Sequence, residues 1–282
     1  MLPVLFQPVV RTLALRRIAR ADRSDGDAAR LLSVLEQTIR HVRSPEEAHW
    51  IGRIEALRGE LRASGKPVAI TDYGAGKPGM HLTEEQMRQG RIVRRTVGAV
   101  CRDSSKHPFW AFFLFRLIRE FKPAVCVELG TALGISGAYQ AAALALNGTG
   151  RLITLEGAEA LATIARENLA RLGLDTVTVV PGRFQDTLAG VLAGQPTIDY
   201  AFIDGHHDEQ ATIGYFAQIL PQLSRTSVMI FDDIAWTAGM KRAWRTIVGH
   251  ERLRTVADLG DIGVCLSADG TVPKHQYTIP LG

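Results

Sequence analysis

The sequence predicts an α/β fold, in which a doubly wound and mostly parallel sheet carries helices on both faces. Short apolar strand patterns alternate with helical patterns from residue 125 to residue 235, an order that is typical of parallel sheets. In addition, 282 residues with 46% apolar content suffice to bury a full core. We divide the chain into a helical extension with a substrate lid at 1–104 and the sheet domain at 105–282.

Apolar residues at helical spacing predict two helices in residues 27–63 of the extension. The pair Ser44-Pro45 divides them, because serine is a favoured N-cap and proline a favoured first-turn residue. The glycine-rich stretch at 71–79 is predicted to be a loop between helical stretches. It is either a lid that closes Asp72 and Tyr73 over a substrate or a plain linker.

The first strand of the sheet domain leads into a glycine-containing turn. The apolar run 125–129 ends at Gly130, and Gly134 precedes an alanine-rich helical pattern, while the next strand ends on Glu156. Ligands of such sheets bind at the carboxyl ends of the strands, so Gly130 and Glu156 should flank one crevice. Backbone amides there can hold a carboxylate, and Glu156 can accept two ribose hydroxyls. The pattern predicts a nucleoside site, although the glycine spacing departs from the dinucleotide fingerprint.

The string Glu-Leu-Gly-Thr-x-x-Gly-x-Ser at 128–136 resembles the first motif of class I S-adenosylmethionine (SAM) methyltransferases, in particular the small bacterial O-methyltransferases related to catechol O-methyltransferase. Three further segments follow in the family's order. They are the Gly-Arg-Phe-Gln-Asp stretch at 182–186, the strand at 198–204 that ends on Asp204, and the strand at 228–233 that ends on two acids. The resemblance covers about residues 105 to 265.

This resemblance implies a Rossmann-like, seven-stranded sheet and SAM as the cofactor. Phe184 or Gln185 would then lie against the adenine, and Glu156 would bind the ribose. The expected cofactor-binding residues are Ser105, Glu128, Gly130, Thr131, Ser136, Glu156, Gly157, Phe184, Gln185 and Asp204.

Three acids are expected at neighbouring strand ends, within reach of one cation. Asp204 follows one strand, and Asp232 and Asp233 follow the next. In the catechol-type family the same positions carry Asp, Asp and Asn, which hold a magnesium ion that orients the acceptor oxygens. Here Asp233 replaces the asparagine. Either the extra charge tightens a site for Mg²⁺ or another divalent cation, or one acid binds the substrate or caps a helix and no metal is bound.

His207 is the candidate general base. It lies three residues after Asp204, where the family places a lysine near the acceptor hydroxyl, and an imidazole can take a proton near neutral pH. The alternatives are that His207 is a surface residue, that His206 points inward, or that either histidine joins the metal. The catalytic residues expected are His207, Asp204, Tyr73 and Asp72.

The charge and the amino-acid composition of the chain limit the classes of partner that we expect. The net charge of +4 and the pI near 9.1 come mostly from arginines in the first hundred residues. No aromatic interleaving or nucleic-acid module accompanies them, so we expect a solvated surface rather than a nucleic-acid partner. The aromatic stretch at 109–121 is too short to cross a membrane and should be a core helix. Three distant cysteines indicate neither disulfides nor a zinc ribbon, which suits the cytoplasm.

The sequence therefore predicts a SAM-dependent methyltransferase that acts on a hydroxyl of a small molecule, with or without a metal. One alternative is an RNA or protein methyltransferase, although Ile203-Asp204-Gly205-His206 stands where amino-group enzymes carry Asn-Pro-Pro-Tyr. Another is a catalytically silent SAM-binding protein, which would not need Asp204, His207 and Asp232 together. We also expect a homodimer, although no sequence motif predicts the oligomeric state.

Overall fold

The computed structural model describes residues 7–74, 82–268 and 273–281. The described helices are α1 (Gln7–Arg20), α2 (Gly26–Ile39), α3 (Pro45–Ala63), α4 (Glu84–Gln89), α5 (Val97–Ser104), α6 (Pro108–Phe121), α7 (Ile135–Asn147), α8 (Glu159–Leu172), α9 (Phe184–Ala193), α10 (Glu209–Ile219) and α11 (Ala238–Val248). The described strands are β1 (Pro67–Asp72), β2 (Arg91–Thr96), β3 (Val125–Leu129), β4 (Arg151–Glu156), β5 (Val177–Pro181), β6 (Ile198–Ile203), β7 (Leu223–Phe231), β8 (Leu253–Asp258), β9 (Gly263–Ser267) and β10 (His275–Thr278).

Strands β3 to β10 belong to one mostly parallel sheet of eight strands, which confirms the predicted fold class. The prediction of seven strands is one short. The additional strand is β10, which pairs with β8 at an edge and has a half-exposed His-Gln-Tyr-Thr sequence. A four-residue edge strand without an apolar run carries little of the pattern by which buried strands are predicted.

The chain divides into two compact units, a continuous unit of residues 43–196 and a discontinuous unit of residues 1–42 and 197–282. The boundary that we predicted between residues 104 and 105 stays a prediction. No described helix is long and apolar enough to cross a membrane.

In the continuous unit, β4 lies between β3 and β5, and all three strands are parallel. Strand β3 is buried along its whole length, which explains its unbroken apolar sequence. Helix α6 is the expected core helix, since most of its aromatic side chains are buried. Its two arginines, Arg116 and Arg119, bond to the buried carboxylate of Glu47 at 3.1 and 3.2 Å. They therefore interrupt the apolar run without leaving an unpaired buried charge.

The extension contains the two predicted helices, α2 and α3. Ser44 caps α3 as expected, because its hydroxyl accepts from the Glu47 amide while the Glu47 carboxylate accepts from the Ser44 amide. The expected loop at 71–79 is wrong in its first residues, since Thr71 and Asp72 end β1. This strand pairs antiparallel with β2, whose β-branched residues favour a hairpin, and α4 lies between them. Residues 75–79 of that stretch lie outside the described residues.

In the discontinuous unit, the strand order is β10-β8-β9-β7-β6. Strands β6 and β7 are parallel, with Ile203 opposite Phe231, whereas β9 runs antiparallel to both β7 and β8. Because Ile203 and Phe231 are the last residues of their strands, Asp204 and Asp232 follow at the same edge.

Candidate functional site

The glycine turn after β3 is held against the end of β4. Leu129 lies opposite Leu155 in the parallel register, and the amides of Gly130 and Thr131 both donate to the Leu155 carbonyl, at 3.0 and 3.2 Å. Ala132 has a left-handed backbone with φ of 47°, which turns the chain towards α7. Gly130 and Glu156 therefore lie close together within the continuous unit, and the crevice between them stays a prediction.

Glu156 closes this turn with its side chain. One carboxyl oxygen accepts from the Ala132 amide at 2.7 Å, and the other accepts from the Ala158 amide at 2.9 Å. Burial raises the pKa of Glu156 to about 7, because removal from water penalises the charged form more than the two amides favour it. The group is thus a buried acceptor at the end of β4, of the kind that can receive the hydroxyl donors of a ribose.

Glu128 lies deeper than Glu156 does. It is fully buried, and its two carboxyl oxygens accept from Gln140 Nε2 and Thr154 Oγ1, both at 2.6 Å. Thr154 Oγ1 in turn lies 2.6 Å from Thr131 Oγ1. Desolvation raises the pKa of Glu128, opposed by bonds from Thr154, Ser136 and Gln140.

This network joins β3, β4 and α7 beneath the glycine turn, so its members fix the turn's position. Sequence reasoning missed Gln140 and Thr154. Gln140 could have been found, because it is a buried amide in an otherwise apolar and alanine-rich helix. Contacts of Glu128, Thr131 and Ser136 with a cofactor stay predictions.

The loop after β5 is bonded to the end of β4. The Gly182 amide donates to the Glu156 carbonyl at 2.9 Å, which joins the ends of β4 and β5. Phe184 and Gln185, the residues expected beside the adenine, begin α9 directly after this loop. Ser105 ends α5, and its hydroxyl lies 3.6 Å from Cys101 Sγ.

Tyr73 lies against Gly157, the residue after Glu156. A Cβ atom on Gly157 would be 3.0 Å from Tyr73 Cδ2. Asp72 forms an ion pair with Arg91 at 2.9 Å across the hairpin and accepts from the Gly74 amide at 3.0 Å. The structure therefore brings Tyr73, but not the Asp72 carboxylate, to the loop of the predicted nucleoside site.

In the discontinuous unit, the ends of β6 and β7 lie side by side, and His207 meets one of the acids that were expected to bind a metal. The Asp232 amide donates to the Ile203 carbonyl at 2.9 Å, and His207 Nδ1 lies 3.5 Å from Asp233 Oδ2. His207 and Asp233 have left-handed backbones with φ of 49° and 55°. Left-handed non-glycine residues are uncommon, and such strain clusters at functional sites.

His206 points inward, which was one of the alternatives. Its Nδ1 lies 2.8 Å from the hydroxyl of Tyr215, a fully buried tyrosine of α10. His207, the next residue, pairs with an acid of the strand ends. The His207 side chain is 28% exposed.

The metal site at Asp204, Asp232 and Asp233 stays a prediction. Among the described residues, no group of three or more histidine, cysteine, aspartate or glutamate side chains is placed to hold a metal ion. Asp233, which stands where the resembling family has asparagine, faces the His207 imidazole instead. We therefore assign no chemical step to a metal.

The sequence of the sheet domain matches known proteins. Residues 127–234 match the family model of a methyltransferase domain. A catechol O-methyltransferase from Mycobacterium tuberculosis is 33% identical over 129 residues, which are 45% of this chain and 56% of the relative. The chain thus spans just over half the length of this curated relative.

Solved structures share the fold. An O-methyltransferase from Bacillus cereus in complex with S-adenosylhomocysteine (SAH) has a TM-score of 0.51 at 25% identity, covering 59% of this chain and 84% of that one. The O-methyltransferase TomG from Streptomyces achromogenes, in complex with SAM, has a TM-score of 0.52 at 22% identity, covering 60% and 83%.

These matches agree with the resemblance to class I SAM-dependent methyltransferases that the motifs predict. Within that class, the relatives and neighbours described above are O-methyltransferases.

Proposed function

We propose that the protein transfers the methyl group of SAM to a hydroxyl of a small molecule. The observation that carries this proposal is the buried Glu156 carboxyl at the end of β4, beside a glycine turn that it holds through the Ala132 amide. The named SAH and SAM complexes of the structural neighbours support SAM as the cofactor. The acceptor class rests on the O-methyltransferases that the chain resembles.

In this proposal the residues of the continuous unit bind the cofactor. Glu156 accepts the ribose hydroxyls, the turn at Gly130 lies beside the cofactor, and Phe184 and Gln185 lie against the base. Ser105, Ser136 and Gly157 contribute further contacts, while Glu128 and Thr131 hold the turn in place. When bound, SAM supplies an electrophilic methyl group on a sulfonium, and SAH is the leaving group as the new carbon–oxygen bond forms.

His207 takes the proton of the acceptor hydroxyl in this mechanism. Removal of that proton makes the oxygen a better nucleophile for in-line attack. Asp233 lies on the Nδ1 side of the imidazole, so it orients the ring and leaves Nε2 to accept the proton. Asp204 and Asp232 follow the same strand ends and are proposed to position the acceptor. The cytoplasmic location and the homodimer stay predictions.

Titration calorimetry tests the cofactor assignment. We expect SAH to bind and NAD not to bind. Replacing Glu156 by alanine should weaken SAH binding by about 1 to 3 kcal/mol, because hydrogen bonds to a charged or buried acceptor are lost. Glu159→Ala is the matched control, since Glu159 is an exposed glutamate three residues away. Tight NAD binding without a response to SAH would contradict the proposal.

The acceptor can be identified by incubating the protein with SAM and a metabolite extract and searching by mass spectrometry for products heavier by one methylene. A methylated small molecule is the expected result. Methylation of RNA or of a protein in the same assay would favour that alternative. SAH binding without any methylated product would favour a catalytically silent SAM-binding protein.

A chelator decides between metal-assisted and metal-free transfer. Because Asp233 faces His207 and the described acids form no three-ligand group, we expect the methylation rate to survive exhaustive EDTA treatment. Adding back Mg²⁺ is the control. A rate that disappears in EDTA and returns with Mg²⁺ would establish the divalent-cation site at Asp204, Asp232 and Asp233 that the family resemblance implies.

A further inference from the structure

The ring of Tyr73 is held between two glycines. On one edge, a Cβ atom on Gly90 would lie 2.6 Å from Tyr73 Cε1, and on the other edge a Cβ atom on Gly157 would lie 3.0 Å from Cδ2. Gly90 also has a left-handed backbone with φ of 71°. A side chain at either position would displace the ring, so the hairpin is built to place an aromatic side chain at this point.

The hairpin is attached to both loops of the proposed nucleoside pocket. Tyr73 contacts the loop after β4 through Gly157. In α4, which lies between the two strands at the same end of the hairpin, the Arg88 carbonyl accepts from Arg183 Nη1 of the loop after β5 at 2.8 Å, and the same guanidinium bonds to Asp186 at 2.7 Å. All of these residues belong to the continuous unit.

We propose that Tyr73 is a cofactor-binding residue whose ring forms one wall of the pocket for the nucleoside of SAM. Gly157 has no side chain of its own, and the Tyr73 ring fills the space into which a side chain there would extend. A flat aromatic face next to the ribose acceptor Glu156 suits a purine, since bases stack on aromatic side chains. In this proposal Tyr73 contacts the cofactor, whereas from the sequence we expected it to close over the substrate.

This inference rests on the proposed SAM binding, and the experiment separates the two. SAH and 5′-methylthioadenosine, which shares the nucleoside but lacks the amino acid, are titrated into the wild type and into Tyr73→Ala and Tyr73→Phe. Base stacking predicts that Tyr73→Ala weakens both ligands about 5- to 150-fold, while Tyr73→Phe, which keeps the ring, stays near the wild type. Tyr277→Ala, at another half-buried tyrosine, is the matched control and should change neither affinity.

A double-mutant cycle tests the contact itself. In the wild type, Gly157→Ala should weaken SAH binding, because the new Cβ would push the Tyr73 ring. When Tyr73 is already alanine, the same substitution should have little further effect on SAH binding. Four results would each overturn the role of Tyr73. They are additive effects of the two substitutions, a loss of affinity for SAH alone, an unchanged affinity in Tyr73→Ala, and tighter binding in that variant. Failure of the wild type to bind SAH would instead overturn the proposed function.

Discussion

Replacing His207 by alanine should lower the rate of methyl transfer by about 100- to 10,000-fold, the usual contribution of a general base. The affinity for SAM should change little, because the cofactor contacts proposed above come mainly from the ends of β3, β4 and β5. His207 Nδ1 lies 3.5 Å from Asp233 Oδ2, so the ring is positioned by an acid while Nε2 takes the proton. The measurement is the single-turnover rate across pH, in which the acid limb of the profile should flatten in the variant.

Two variants accompany this prediction. His49→Ala removes an exposed histidine of α3 and should leave the rate unchanged. Asp233→Asn should lower the rate less than His207→Ala does, and should add little when His207 is already alanine, because Asp233 acts through the imidazole. A His207→Ala protein with the wild-type rate and pH profile would show that His207 is only a surface residue.

Much of the fold could be predicted because its signals are local. The buried strand β3 is a continuous apolar run, and Ser44 followed by Pro45 indicates the start of α3. The acids after β6 and β7 indicate the ends of those strands. The hairpin of β1 and β2 was missed, because its strands are half exposed and lie on either side of a glycine-rich stretch.

Contacts within the site that join distant segments of the chain could not be predicted from the sequence. Tyr73 meets Gly157 across 84 positions, and no local pattern signals such a contact. The surroundings of Glu128 depend on Gln140 and Thr154, which the folded sheet and helix bring together. Likewise, the resemblance to metal-binding relatives predicted three acids at the strand ends. It did not predict the direction of the Asp233 side chain, which faces His207.

The stability of the protein should fall as pH rises from about 4.5 to about 7, and Glu156 should account for much of the change. A glutamate carboxyl ordinarily titrates with a pKa of 4.5, and burial raises the pKa of Glu156 to about 7 in the folded chain. In this window the unfolded chain has lost the proton while the folded chain keeps it. The folded state therefore binds more protons, and its advantage is complete below pH 4.5 and lost above pH 7. At 1.36 kcal/mol per pH unit, the change amounts to about 3 kcal/mol.

Urea unfolding of the wild type and of Glu156→Gln, at pH 5 and at pH 7.5, measures this contribution. Glutamine keeps the shape and an acceptor oxygen without titrating, so its free energy of unfolding should vary less between the two pH values. Some dependence should persist, because burial also raises the pKa of Glu128. Glu159→Gln, an exposed neighbour, should behave as the wild type does. An equal pH dependence in Glu156→Gln would contradict the raised pKa of Glu156, because that carboxyl would then already be ionised in the folded protein at pH 5.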